Sequence, residues 1–141
     1  MHEVEIMFKN GINYNLKVIL YGLILLHTTL AYGQIKNGQQ TYTEVCSVCH
    51  AAGLAGAPKF GDKLAWGKLV AEGQVIITAH GYVGVRAMPP KGGKVNLSLE
   101  DFSEALNYMV NNSGGNWTKP NKSILDAMKV EINSREKLQG H

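Results

Sequence analysis

The sequence predicts a small all-α protein, in which one compact helical domain is followed by a C-terminal helical tail. Apolar residues recur at helical spacing in several segments, most clearly in residues 98–110. No pair of alternating apolar and polar segments predicts a β-hairpin. The chain has 141 residues, is 45% hydrophobic and 18% charged, and has a formal net charge of +3. These values are ordinary for a single globular domain.

Four segments precede the clearest helix. Apolar spacing predicts a first helix over residues 38–49 and a second, short helix that begins at Asp62 and ends before Gly73. Residues 74–80 predict a third helix, although their β-branched side chains leave a strand open. Residues 84–96 contain two prolines and two adjacent glycines, and they predict a loop.

The clearest helix begins at Ser98, which with Asp101 forms a start similar to a capping box. Its apolar stripe consists of Leu99, Phe102, Ala105, Leu106, Met109 and Val110. A polar linker, "SGGNWTKPN", then leads to an amphipathic segment from Ser123 to about Leu138. This last helix could dock on the domain, bind a partner, stay loosely ordered, or be a surface helix without a separate function.

The N-terminal residues are predicted to lie outside the fold. A lysine is followed by an apolar stretch from Val18 to about Leu30, and then by Ala31-Tyr32-Gly33, with small residues at the −3 and −1 positions of a cleavage site. This pattern predicts a signal peptide over residues 1–33 and a soluble periplasmic product. The alternative is an uncleaved anchor in the inner membrane through residues 16–32, although a membrane-spanning helix needs about twenty apolar residues.

The two cysteines of the chain lie in "CSVCH", where Cys46 and Cys49 are followed directly by His50. A C-x-x-C pair can be a redox dithiol, half of a zinc site or, with a following histidine, the attachment site of a c-type haem. A zinc site would need two further ligands, and the chain has no second pair of cysteines or histidines at a suitable spacing. A redox dithiol does not need the histidine. Haem attachment uses all three residues: each sulfur bonds one vinyl group, and the imidazole reaches the iron as the proximal ligand. The motif therefore predicts one covalently bound haem c.

Size and compartment agree with this interpretation. The predicted domain, residues 34–115, has only about eighty residues, and a chain so short usually needs a staple such as a disulfide, a metal or a cofactor. The rest, residues 116–141, forms the tail. In an oxidising compartment a free C-x-x-C would tend to close into a disulfide, whereas haem attachment consumes both thiols.

Residues 38–113 resemble class I cytochromes c, and most closely the bacterial cytochrome c5 group. The resemblance lies in "CSVCHAAGLAGAPKFGDKLAW" and "AMPPKGG", in that order. It implies about four helices around a covalent haem and a role in electron transfer. It also implies that Cys46 and Cys49 form thioethers, that His50 and Met88 are the two axial ligands, and that the carbonyl of Pro58 accepts a hydrogen bond from the proximal imidazole.

The resemblance further implies that Gly38 and Tyr42 pack across the C-terminal helix of the domain, with Tyr108 on the other side. There is one departure. Many c5 proteins have a second C-x-x-C after the methionine ligand, which forms a disulfide. This chain has "KGGKVNLS" there, so its methionine loop lacks that brace.

Met88 and His80 compete for the sixth position on the iron. Met88 precedes Pro89, which favours an extended backbone, and two prolines stiffen the chain after it. A ligand at His80 would instead give a bis-histidine haem of lower potential. Trp66, Tyr82 and Arg86 could donate to or pair with a haem propionate, or they could be packing residues with a polar end at the surface.

The predicted function is that of an exported monohaem cytochrome that passes single electrons between respiratory partners and is not an enzyme. The expected partners are redox proteins, such as an oxidase or reductase with an acidic surface, and not nucleic acid. The lysines that would steer such a partner are Lys59, Lys63, Lys68, Lys91 and Lys94. One alternative is a haem protein with a labile sixth ligand that binds a gas or reduces a peroxide, and another is a thiol oxidoreductase.

Overall fold

The computed structural model describes residues 37–140, which belong to one compact unit. The predicted signal peptide and its alternative, the membrane anchor, lie outside the described residues. The described part contains five helices and no strand, so the predicted all-α class is confirmed.

The first helix, α1, covers residues 38–50 in three consecutive parts: α-helical Gly38–Thr41, a π-helical turn Tyr42–Cys46, and α-helical Ser47–His50. It begins where the side chain of Asn37 accepts a hydrogen bond from the backbone N–H of Gln40 at 2.8 Å. A π turn adds one residue to the helix locally, and such turns often mark functional positions. Here it ends at Cys46, the first residue of "CSVCH".

Two helices of ten residues follow. Helix α2, Lys63–Glu72, begins at Asp62, whose carboxylate accepts from the N–H groups of residues 64 and 65. Helix α3, Gln74–Val83, follows after Gly73, whose φ of 95° is a backbone conformation that glycine adopts readily and that separates the two helices. The strand left open for residues 74–80 was therefore wrong. Neighbouring helices bury this segment, and that packing overrides its β-branched composition.

Helix α4, Leu99–Asn112, is capped by the Ser98 side chain, which accepts from the N–H of Asp101. It crosses α1 at very short range, because a β-carbon on Gly38 would overlap the backbone carbonyl of Glu104. An aromatic cluster continues this contact, with ring centroids 4.7–5.5 Å apart. Its members are Tyr42, Phe60 and Tyr108.

Helix α5, Lys122–Gln139, docks on the domain. Met128 and Ile132 are buried against Ala79 and Val83 of α3 and against Leu99 at the start of α4. The linker before it is fastened as well, since Asn107 and Asn111 side chains bond its backbone at 2.7–2.8 Å. Of the alternatives for the C-terminal tail, docking is the one that the structure shows.

Two apolar clusters result. The larger one lies between α1, α2, α3 and α4, and the smaller one lies between α3, α4 and α5. No helix within residues 37–140 is long and apolar enough to cross a membrane.

We expect Gly38→Ala to lower the free energy of unfolding by about 1–3 kcal/mol, because the added methyl group forces α1 away from α4. The matched control is Gly67→Ala in α2, where a β-carbon meets nothing within 4 Å. That change should stabilise the protein by about 0.5–1 kcal/mol through helix propensity. Denaturant unfolding measures both, and equal effects of the two substitutions would show that the helix crossing is not closely packed.

Candidate functional site

The residues of "CSVCH" occupy the end of α1. Cys46 closes the π turn and is buried, whereas Cys49 is exposed one helical turn later. The two thiols are free and not joined in a disulfide. Burial raises the pKa of the Cys46 thiol to about 11, so as a free thiol it stays protonated at neutral pH and reacts slowly with disulfides.

His50 is buried and its ring is held in one orientation. Its Nδ1 lies 2.9 Å from the carbonyl oxygen of Pro58. A carbonyl can only accept, so Nδ1 carries the proton and donates, and Nε2 of the neutral ring keeps its lone pair. The backbone N–H of Phe60 also donates to the His50 carbonyl at 2.7 Å. Residues 51–60 thus form a loop whose far end returns to His50, where Pro58 bonds the ring and Phe60 bonds the backbone. The contact that the resemblance implied for Pro58 is present.

Trp66 of α2 packs beside His50 and bonds the same loop. Its side chain is 1% exposed, its ring lies 6.0 Å from that of His50, and its indole N–H donates to the carbonyl of Lys59 at 2.9 Å. Because this donor is already used, the structure favours packing over a propionate contact for Trp66. The sequence does not predict this bond, which joins residues seven positions apart.

Met88 lies on a tight turn after α3. Val85 and Met88 exchange two backbone hydrogen bonds, of 3.0 and 2.9 Å, and Arg86 between them has φ 54°. The thioether end of Met88 lies against α3, since a β-carbon on Gly81 would be 3.4 Å from its methyl carbon. Met88 also packs on the larger apolar cluster. Two hydrogen bonds with Val85 therefore hold the backbone of Met88, while its side chain packs against α3 and the larger cluster.

The remaining polar residues near this turn have other neighbours. His80 is partly buried on α3, its Nδ1 lies 3.8 Å from Glu72, and burial and the charge of Arg135 on α5 lower its pKa. Arg86 is exposed. The Tyr82 hydroxyl is 3.5 Å from the carbonyl of Leu97, which is a weak bond at best.

The donor set fits a c-type haem. Two free thiols lie one helical turn apart, and the adjacent imidazole is oriented by its other nitrogen so that Nε2 is available. A thioether lies in the same apolar core on a braced turn. Within residues 37–140 no three His, Cys, Asp or Glu side chains form a group that could hold a metal ion by themselves.

Comparison with known proteins gives the same class. The family model described as "Cytochrome C oxidase, cbb3-type, subunit III" matches residues 33–109. Cytochrome c-555 of Chlorobaculum thiosulfatiphilum is 41% identical over 80 residues, which are 54% of this chain and 93% of that protein. Cytochrome c5 of Ectopseudomonas mendocina is 36% identical over 81 residues, 56% of this chain and 93% of the relative.

A solved structure is similar as well. It is a chain of a crystal structure titled as an electron transfer complex of nitrite reductase with cytochrome c. The TM-score is 0.52 at 39% identity, and the match covers 54% of this chain and 93% of that chain.

The fold and the site thus define a small haem protein of the electron-transfer type. This chain belongs to the c-type cytochromes. Membership implies covalently bound haem c, and Cys46 and Cys49 have the spacing of the C-x-x-C-H motif. The predicted cofactor is therefore confirmed.

Of two features of the site that were not predicted, one had a weak signal in the sequence. Gly81 is the one glycine inside the apolar segment 74–83, and an isolated glycine in a helix often marks a close approach. Here it makes room for Met88 and Phe102. Trp66 had no such signal, because nothing in its neighbours identifies the carbonyl that its N–H will meet.

We expect Trp66→Phe to destabilise the protein by about 0.5–1.5 kcal/mol, because the carbonyl of Lys59 loses the indole N–H and keeps only the backbone N–H of Asp62 as a donor. Trp117→Phe is the control, since the bonds of Trp117 with Asn111 are made by its backbone and remain. Denaturant unfolding of both variants measures the difference. If Trp117→Phe costs as much as Trp66→Phe, lost ring packing and not the hydrogen bond explains the change.

Proposed function

We propose that this protein is an exported monohaem electron carrier in which Cys46 and Cys49 hold the haem by thioethers and His50 and Met88 are its axial ligands. The observation that carries this proposal is the pair of fixed ligands: an imidazole oriented by the Pro58 carbonyl and a thioether on a hydrogen-bonded turn. Haem c, when bound, supplies a reversible one-electron couple. The named relatives, which are cytochromes c-555 and c5, support a carrier and not an enzyme.

The residues of this chain have separate tasks in that function. The Pro58 carbonyl fixes the ring of His50 and raises its basicity. Met88 presents a sulfur, which favours the reduced state and so raises the potential. His50 is 6% exposed and Met88 packs on the larger apolar cluster, and two fixed ligands would keep the iron coordination alike in the two redox states.

Met88, and not His80, is the proposed sixth ligand. Met88 packs on the larger cluster, which also contains Cys46. His80 turns toward Glu72 of α2, and its electrostatic neighbours on α5 are Arg135 and Glu131. A histidine with those neighbours is better placed to interact with charged groups at the surface than with a buried iron.

We also propose export to the periplasm, which rests on the leader-like sequence of residues 1–33. The proposed partners are redox enzymes. The similar solved structure supports this class, since its title describes an electron transfer complex with nitrite reductase.

We expect Met88→Ala to remove sulfur ligation. The far-red absorption band of the ferric protein that reports sulfur on iron should disappear, the potential should fall, and the ferrous protein should bind carbon monoxide readily. His80→Ala is the control and should leave the spectrum and potential unchanged. A spectral change in His80→Ala without one in Met88→Ala would identify a bis-histidine haem. Rapid carbon monoxide binding by the wild type would instead favour the alternative of a labile sixth ligand.

If lysines guide the partner, Lys63→Glu and Lys94→Glu should slow electron transfer to an acidic partner, because both side chains are exposed. Lys91 is a poor choice for this test: its Nζ lies 4.7 Å from the Tyr82 ring centroid and donates to the Val95 carbonyl. Lys137→Glu on α5 changes the net charge equally and is the control. Stopped-flow rates should differ less as salt rises, since exposed charges are screened over about 10 Å at 0.1 M. Equal rates for all variants would exclude lysine guidance.

A further inference from the structure

The C-terminal helix α5 contacts the face of α3 that is opposite to Met88. We propose that α5 is a brace for the methionine loop, residues 84–98: by packing on α3 it holds Met88 in position to bind the iron. This inference rests on the proposed function, in which Met88 is the sixth ligand. It makes Met128 and Ile132 positioning residues, since they act on the ligand through α3.

The methionine loop needs support from outside itself. Arg86 and Lys91 have φ 54° and 56°, a conformation that side chains with a β-carbon adopt at an energetic cost. The loop has no cysteine, so no disulfide closes it. Its regular structure is the hydrogen-bonded turn between Val85 and Met88, which contains Arg86, and one 3₁₀ turn, Pro90–Gly93, which contains Lys91. Strain of this kind persists only where surrounding packing imposes it.

Helix α3 is the support on which the loop rests. Gly81 lies against the Met88 methyl group and the Phe102 ring, since a β-carbon there would be 3.4 Å and 2.8 Å from them. Gly84, directly after α3, is similarly close to the Met88 carbonyl and to Pro90. Any shift or rotation of α3 therefore moves the surface against which Met88 is placed.

Helix α5 fixes α3 from the other side. Ala79 and Val83 face the smaller cluster, where Met128 is 0% exposed and Ile132 is 6% exposed. Residues 79 and 83 thus lie on the face of α3 that contacts α5, and Gly81 lies on the opposite face, which contacts Met88. A ten-residue helix has little stability of its own, so packing on both faces determines its position.

Tyr82 connects the two sides directly. It packs against both apolar clusters, and its ring meets Phe102 edge-on at 5.6 Å. The Nζ of Lys91, in the strained part of the loop, lies over the same ring. Loss of the α5 contact would therefore loosen Tyr82 as well as α3.

The brace is an addition to the family domain. The family model's match ends at residue 109, and α5 begins at Lys122. Its linker is anchored, because the side chains of Gln74 and Asn107 both donate to the carbonyl of Thr118, at 3.0 and 2.8 Å. The anchored linker thus fixes where α5 begins relative to α3, and α5 is not a free tail.

The test compares two positions on α5 in the full-length, haem-loaded protein. Ile132→Ala and Ile132→Asp weaken the contact with α3, whereas Val130→Ala and Val130→Asp are controls on the exposed face, where Val130 is 71% exposed. Carbon monoxide reaches ferrous iron only when the Met88 sulfur has left, so its binding rate measures how often the loop opens. We expect Ile132→Ala to raise this rate about tenfold or more and Ile132→Asp to raise it further, with less than about a twofold change in the controls.

A second measurement separates bracing from general stability. In denaturant, the far-red sulfur band of the ferric Ile132 variants should disappear before the far-ultraviolet circular dichroism of the helices is lost. If both signals disappear together and the carbon monoxide rate in buffer is unchanged, α5 only stabilises the fold and the brace is overturned. Equal effects at Val130 and Ile132 would overturn it too. If Ile132→Asp fails to fold, the Ile132→Ala pair still decides the question. Absence of the sulfur band in the wild type would overturn the proposed ligation itself.

Discussion

The close crossing of α1 and α4 positions the candidate site, because α1 contributes Cys46, Cys49 and His50 from its C-terminal end. At its other end, Gly38 lets the backbones of the two helices approach without a side chain between them. The aromatic cluster next to that crossing fixes how α1 is rotated about its own axis. A helix held in this way along its first half presents its last turn in one orientation, which a covalently attached group requires.

The two proposed ligands are fixed by different means. His50 is held by a local loop, whose carbonyl at Pro58 and N–H at Phe60 bond it from both sides. Met88 is held by a strained turn that depends on α3 and, through α3, on α5. The proximal side is therefore rigid through hydrogen bonds, while the distal side depends on the packing of helices. This difference suits a carrier, in which the weaker ligand is the one whose bond must be supported.

Much of the fold could be predicted because its signals are local. The serine cap at Ser98, the aspartate cap at Asp62 and the glycine stop at Gly73 each define a helix end through neighbouring residues. Residues 74–83 are different, because their local signals are ambiguous. Their β-branched side chains left a strand open, and only burial between three other helices makes them helical. The outcome for the tail could not be predicted either, because its apolar stripe does not say what it will contact.

The sequence by itself determined the chemistry: two thiols and an imidazole in C-x-x-C-H, and a methionine held by prolines in a later loop. These features are set by residues within a few positions of one another. The tertiary structure alone decided what surrounds them, such as the carbonyl that Trp66 meets and the face of α3 on which α5 docks. Such contacts join residues that are distant in the chain or separated by loops. They depend on how helices pack in three dimensions, which local propensity and periodicity do not encode.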